Sequence, residues 1–316
     1  MTDNPSNDRI DSPVRKGRRA GGTRRRILRS TAVLPGVFTI SNGLFGFAAI
    51  HFATKGAETF DATLSNQTIA CWLVFAAMFC DMIDGRVARL TRRTSDFGGQ
   101  LDSMCDIISF GVAPAMIMLR TSSLALGQVS LVAGNRLLER SVWCVAAAYV
   151  ACAALRLARF NVENEPDESA HMSFQGLPSP GAAAAVVTPI LLFENLRSTT
   201  RGGWLSSSWL KTEWFCGQWG LLVTSVVLTG VTLGVALFMV SRFPYIHPIN
   251  QYTRGKRSFG YLVKFLTVML AMIIEPMLTL AAATVTFALS GPVAAMRRSA
   301  SSPKANAPAG GPQDTP

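Results

Sequence analysis

The sequence predicts an all-α fold, a polytopic membrane helix bundle of about eight transmembrane helices, and three observations predict it. Hydrophobic residues make up 49% of the chain and charged residues only 16%, with a mean hydropathy of +0.29, a heavier apolar weight than a soluble domain carries. Apolar runs recur at helical length, against the roughly 20 residues that cross a bilayer untilted. The net charge of +11 sits in basic clusters between those runs, as in membrane proteins that hold Lys and Arg on the cytoplasmic side.

The expected spans are 33–53, 68–88, 100–119, 142–160, 180–195, 217–240, 259–274 and 277–292. Only Glu275-Pro276 divides the last two, and a tight hairpin is expected there because 259–291 is too long for one ordinary span. Residues 1–30 read as a basic, disordered N-terminal arm, 31–292 as the transmembrane domain that carries the chemistry, and 293–316 as a disordered tail rich in Pro, Ala and Ser. The arm holds Arg24-Arg25-Arg26, which resembles a twin-arginine export signal. The long apolar run after it, with Asn42 inside, reads instead as a retained first helix. Loops 54–67, 120–141 and 196–216 carry few Lys or Arg, whereas the arm, Arg89 to Arg93, Arg156/Arg159, Arg254 to Arg257 and Arg297-Arg298 are basic. Eight spans with both termini cytoplasmic put every basic cluster inside, in the inner membrane of a cell. The same distribution argues against a nucleic-acid partner, which would need the charge on one folded face. Six cysteines without a C-x-x-C pair and three scattered histidines offer neither a disulfide framework nor a zinc site.

The stretch from Asp81 to Asp106, DMIDGRVARLTRRTSDFGGQLDSMCD, carries the chemistry. Asp81 and Asp84 are three apart, and Asp102 and Asp106 four apart, so each pair shares one helix face. The connection is short, which makes the two helices antiparallel neighbours whose carboxylates point into one cleft. An ionised Asp at a membrane-helix centre costs roughly 2.5–3.5 kcal/mol on insertion scales, and four like charges repel one another besides. Bound cations relieve both. Hard oxygen donors without a Cys or His set suggest Mg²⁺, Mn²⁺ or Ca²⁺, and two divalent ions can grip a diphosphate. Gly85 and Ala88 leave one helix face bare, Gly98 opens the next helix, and Arg89 can meet phosphate oxygens.

These positions resemble the signature of the CDP-alcohol phosphatidyltransferase family, D-x2-D-G-x2-A-R-x8-G-x3-D-x3-D. Asp81, Asp84, Gly85, Ala88, Arg89, Gly98, Asp102 and Asp106 match it at every spacing. The resemblance implies a homodimeric membrane bundle with a six-helix catalytic core around a cytoplasm-facing cleft. It implies metal at Asp81, Asp84, Asp102 and Asp106, with Asp106 also the base, and CDP-lipid contacts from Gly85, Ala88, Arg89, Ser95 and Gly98. The stretches Phe97 to Ser103, Ser109 to Pro114, Arg156 to Asn161 and Phe174 to Pro180, with Leu34-Pro35 and Thr39-x-x-Asn42 in the first span, are similar to the phosphatidylserine synthase branch. That branch implies CDP-diacylglycerol and L-serine as substrates, phosphatidylserine and CMP as products, and Mg²⁺ or Mn²⁺ as cofactor, with two ions.

The acceptor is expected near Arg156, Arg159 and Asn161, where the guanidinium groups can take a carboxylate or phosphate. The same arginines also read as cytoplasmic anchors. Thr39 and Asn42 can reach the nucleotide or bond a neighbouring helix. Two alternatives stay open: the same family with glycerol 3-phosphate, inositol phosphate or choline as acceptor, and a cation-coupled transporter.

Overall fold

A chain in hydrocarbon has no water to satisfy its backbone, so its apolar segments close their hydrogen bonds within themselves as helices. The structure, a computed structural model, describes residues 21–55, 59–61, 64–91, 96–132, 134–163, 176–197, 217–243, 245 and 259–301. The helices are α1 (Gly21–Thr54), α2 (Asn66–Thr91), α3 (Asp96–Asp106), α4 (Ala113–Gly127), α5 (Arg136–Glu163), α6 (Ser179–Arg197), α7 (Gln218–Val240), α8 (Phe259–Ile274) and α9 (Pro276–Ser301). A π-helical turn, Ile107–Val112, joins α3 to α4, so that Phe97–Gly127 is one membrane-length stretch. A short antiparallel ribbon, Thr59–Asp61 with Leu64–Ser65, connects α1 to α2.

Among the described residues seven helical segments are long and apolar enough to cross a membrane, and α8 is a shorter apolar helix. Two sequence expectations change. Helical backbone begins at Gly21, inside the stretch read as a disordered arm, because residues 24–34 are mostly good helix formers; the membrane-length part starts at Gly36. The tight hairpin at Glu275-Pro276 is not formed. The Glu275 N–H donates to the Ala271 carbonyl at 2.8 Å and the Thr279 N–H to the Glu275 carbonyl at 3.0 Å, so helical bonding runs up to and away from the junction. Pro276 has no N–H to donate, so one helical bond is missing at the junction. Val263, Phe265, Leu266, Val268 and Leu270 stay exposed, so α8 does not lie back along α9.

The bundle centre is α6 together with the α3–α4 stretch. Ala182, Ala183 and Ala185 are fully buried on α6, and their small size lets α2, α4, α7 and α9 approach it closely. Thr188 on α6 shares a 2.6 Å hydrogen bond with Thr284 on α9. At the end of the bundle away from the carboxylates, the Ser65 hydroxyl accepts the Thr68 N–H as an N-cap of α2 and donates to Glu194 at 2.9 Å. That bond ties the start of α2 to the end of α6.

The entry to α6 is pinned on α7. The Gly176 N–H donates to the Phe243 carbonyl and the Leu177 N–H to the Phe238 carbonyl. Gly176 sits at φ +89°, and a Cβ there would stand 2.7 Å from the Met239 carbonyl oxygen. A left-handed non-glycine residue costs roughly 1–2 kcal/mol before any clash. Gly176→Ala is therefore expected to lower stability by at least that amount, read as a fall in unfolding temperature in detergent. An unchanged temperature would show that this turn relaxes freely. Just beyond, Tyr245 donates to the Ala288 carbonyl at 2.8 Å, and burial pushes its hydroxyl up to about 12 against the opposing charge of Arg156.

Candidate functional site

Asp81 and Asp84 sit in the last turns of α2, and Asp102 and Asp106 in α3. The fold brings Asp81 of the first pair together with both members of the second. One carboxylate oxygen each from Asp81, Asp102 and Asp106 lie within 4.8 Å of one another, half-buried. Three ionised carboxylates so close repel strongly where little water screens them. An all-oxygen donor set of this size fits a hard divalent cation such as Mg²⁺, Mn²⁺ or Ca²⁺. Asp84 differs from the other three. It is buried, it accepts a hydrogen bond from the Thr39 hydroxyl of α1, and it stands outside the close triad.

Of the two roles open to Thr39 and Asn42, bonds to neighbouring helices are formed. Asn42, fully buried, donates its amide N–H to the Asp106 carboxylate at 2.9 Å. Thr39 and Asn42 are three apart, so α1 presents one polar face to both carboxylate helices. Two glycines on α1 allow the approach: a Cβ at Gly43 would fall 2.9 Å from the Cys105 Sγ, and one at Gly46 would collide with Ser109. The signal in the sequence was two polar residues at helical spacing in an apolar run, followed by Gly43-x-x-Gly46.

Gly85 lies exposed on α2, and a Cβ there would meet nothing within 4 Å. Packing against protein does not require a glycine at this position. What the missing side chain leaves is an open face one residue beyond Asp84. Gly98 is half-buried on α3. Ala88 and Arg89 continue the helical backbone of α2, with side chains outside the described residues, and Ser95 lies outside the described residues altogether.

Of the acceptor candidates, Asn161 is tied to the carboxylate helix α3 by a hydrogen bond. It donates from Nδ2 to the Ser103 Oγ at 3.0 Å, and Ser103 adjoins Asp102 on α3. Arg156 is half-buried on α5 and faces Tyr245, and Arg159 is half-buried one turn on. The described structure thus joins α1, α2, α3 and the end of α5 around one carboxylate cleft.

The family model described as CDP-alcohol phosphatidyltransferase matches residues 32–219. Among curated proteins, the chain is similar to a CDP-diacylglycerol–serine O-phosphatidyltransferase of Helicobacter pylori, 36% identical over 160 residues, which cover 51% of this chain and 58% of that protein. It is similar to the protein of the same description from Bacillus subtilis, 33% identical over 165 residues, 50% of this chain and 79% of that one. A third, from Methanocaldococcus jannaschii, is 36% identical over 115 residues, 36% of this chain and 47% of that protein. The matched stretch spans little more than half the length of the Helicobacter protein.

Proposed function

Since the chain belongs to the CDP-alcohol phosphatidyltransferase family, we propose that it transfers a phosphatidyl group from CDP-diacylglycerol to the hydroxyl of L-serine, releasing CMP and leaving phosphatidylserine in the membrane. The observation that carries this reading is the convergence of Asp81, Asp102 and Asp106 within 4.8 Å beside the open face at Gly85. The relatives named as serine phosphatidyltransferases support serine as the acceptor.

Asp81, Asp102 and Asp106 would hold the first divalent ion, Mg²⁺ or Mn²⁺, and Asp84, turned from Thr39, would complete a second site. Divalent cations bound there supply charge neutralisation at the diphosphate and make CMP a better leaving group. The chain's own residues do the rest. The open face at Gly85 would admit the donor, and the family resemblance gives Ala88, Arg89, Ser95 and Gly98 as its further contacts. Asn42 holds the Asp106 carboxylate in place, and Asp106 takes the proton from the serine hydroxyl as the new P–O bond forms and the bond to CMP breaks. Fixing both reactants in one cleft supplies much of the rate. Arg156, Arg159 and Asn161 would orient serine. In a multi-pass protein of the inner membrane, the carboxylates and both termini face the cytoplasm; that orientation needs an even number of crossings, one more than the seven membrane-length helices among the described residues. A homodimer built on the six-helix core follows the family pattern.

The test is CMP release by the purified protein in CDP-diacylglycerol micelles with Mn²⁺ or Mg²⁺. Serine-dependent release is expected. Release only with glycerol 3-phosphate, inositol phosphate or choline would keep the family chemistry and overturn serine. No release from folded protein with any acceptor would overturn the transferase reading in favour of a cation-binding transporter.

A further inference from the structure

The π-helical turn Ile107–Val112 begins directly after Asp106, and it is closed by the Ala113 N–H on the Ile108 carbonyl. A π turn fits one extra residue into a helix and disturbs its regular hydrogen bonding, so such turns persist mostly where the re-aimed side chains are used. This one lies deep in the bundle, with Ser109, Phe110 and Gly111 buried. Two hydrogen bonds to other helices fasten it, one from a side chain of α5 and one from the turn's own serine. Tyr149 of α5, fully buried, donates its hydroxyl to the Phe110 carbonyl at 3.0 Å. Ser109 donates to the Asn42 carbonyl of α1 at 2.8 Å, and the Asn42 amide in turn holds Asp106. A bonded path therefore runs from the turn through α1 to the carboxylate.

The geometry of a helix makes the turn consequential. Each residue advances a helix by about 100°, at 3.6 residues per turn. With α4 locked in the core, loss of the extra residue would rotate α3 by about that angle and carry Asp102 and Asp106 away from Asp81. We propose that the π turn sets the register that aims Asp102 and Asp106 at Asp81, and that Tyr149 and Ser109 are positioning residues acting through it. Neither side chain reaches the reacting atoms. The inference rests on reading the carboxylates as a metal site, not on the identity of the acceptor.

A buried tyrosine needs a hydrogen-bond partner in any case, so the experiment must separate aim from stability. Full-length protein in detergent is titrated with Mn²⁺ alone, with free Mn²⁺ followed by electron paramagnetic resonance, beside the unfolding temperature and the Mn²⁺ dependence of CMP release. The variants are Tyr149→Phe, Ser109→Ala and, as a control for a buried hydroxyl elsewhere, Thr188→Val. Tyr149→Phe is expected to weaken Mn²⁺ binding on the order of tenfold, the lower end of what outer-shell partners of metal ligands contribute. Ser109→Ala should shift it in the same direction, and Thr188→Val should leave it unchanged. Wild-type Mn²⁺ binding in both turn variants, with only a lower unfolding temperature, overturns the proposal; so does an equal shift in Thr188→Val. If Tyr149→Phe does not fold, Ser109→Ala decides. Wild-type protein that binds Mn²⁺ but ignores serine overturns the acceptor alone, and wild-type protein that binds no Mn²⁺ overturns the metal site and this inference together.

Discussion

Asp106→Asn is expected to lower CMP release by on the order of 10²–10⁴-fold, the range that a positioned general base contributes. The substitution keeps the size of the side chain, and the new amide oxygen can still accept the Asn42 N–H that the carboxylate accepts now. The fold should therefore survive, with an unfolding temperature near that of the wild type. Asp81 and Asp102 keep their carboxylates, so Mn²⁺ binding should weaken without disappearing. Steady-state CMP release beside an Mn²⁺ titration separates the two roles. A fall in rate that excess Mn²⁺ fully restores would mean that Asp106 only holds metal and that another group takes the proton.

Gly85→Leu should separate activity from stability in the opposite sense. A Cβ at this position meets nothing within 4 Å, and glycine in a helix interior costs about 0.5–1 kcal/mol relative to alanine. The variant should unfold at the same temperature or higher. Yet kcat/KM for CDP-diacylglycerol should fall by at least about 100-fold, roughly 2.7 kcal/mol of transition-state stabilisation, because the side chain fills the face that the donor must approach. Gly85→Ala should show the same trend more weakly. A stabilised enzyme with unchanged kcat/KM would mean that the donor never uses this face. A destabilised one would mean that the open space is filled by protein in the native state.

How far the sequence alone reached depends on whether the information was local. The carboxylate pairs were legible because helical periodicity fixes which residues share a face, and the short link between α2 and α3 makes those faces meet. The count of membrane-length helices was nearly legible because hydropathy acts segment by segment. Contacts between distant segments were not. Thr39 and Asn42 are visible as polar residues in an apolar run, but only the packing of α1 against α2 and α3 shows that they hold Asp84 and Asp106. Tyr149 looks like one more aromatic in a span until its bond to Phe110 is seen. The junction at Glu275-Pro276 misled for a related reason. Proline ends a run of hydrogen bonds but does not set the direction in which the next helix leaves, and the exposure of α8 is what excludes a hairpin. The structure also parts Asp84 from the other three carboxylates, a distinction that motif spacing cannot carry.

Helix α8 also bears on the lipid around the protein. Its 16 residues rise about 24 Å, short of the roughly 30 Å of hydrocarbon in an average bilayer, whereas the 26 residues of α9 exceed it. Where α8 lies in the bilayer, its exposed apolar side chains make a shorter belt than those of α9, and the acyl chains beside it compress to meet it. Thin bilayers, built from short or unsaturated chains, fit that side with the least deformation. The fatty-acid composition of the host membrane therefore bears on how comfortably this side of the bundle is seated.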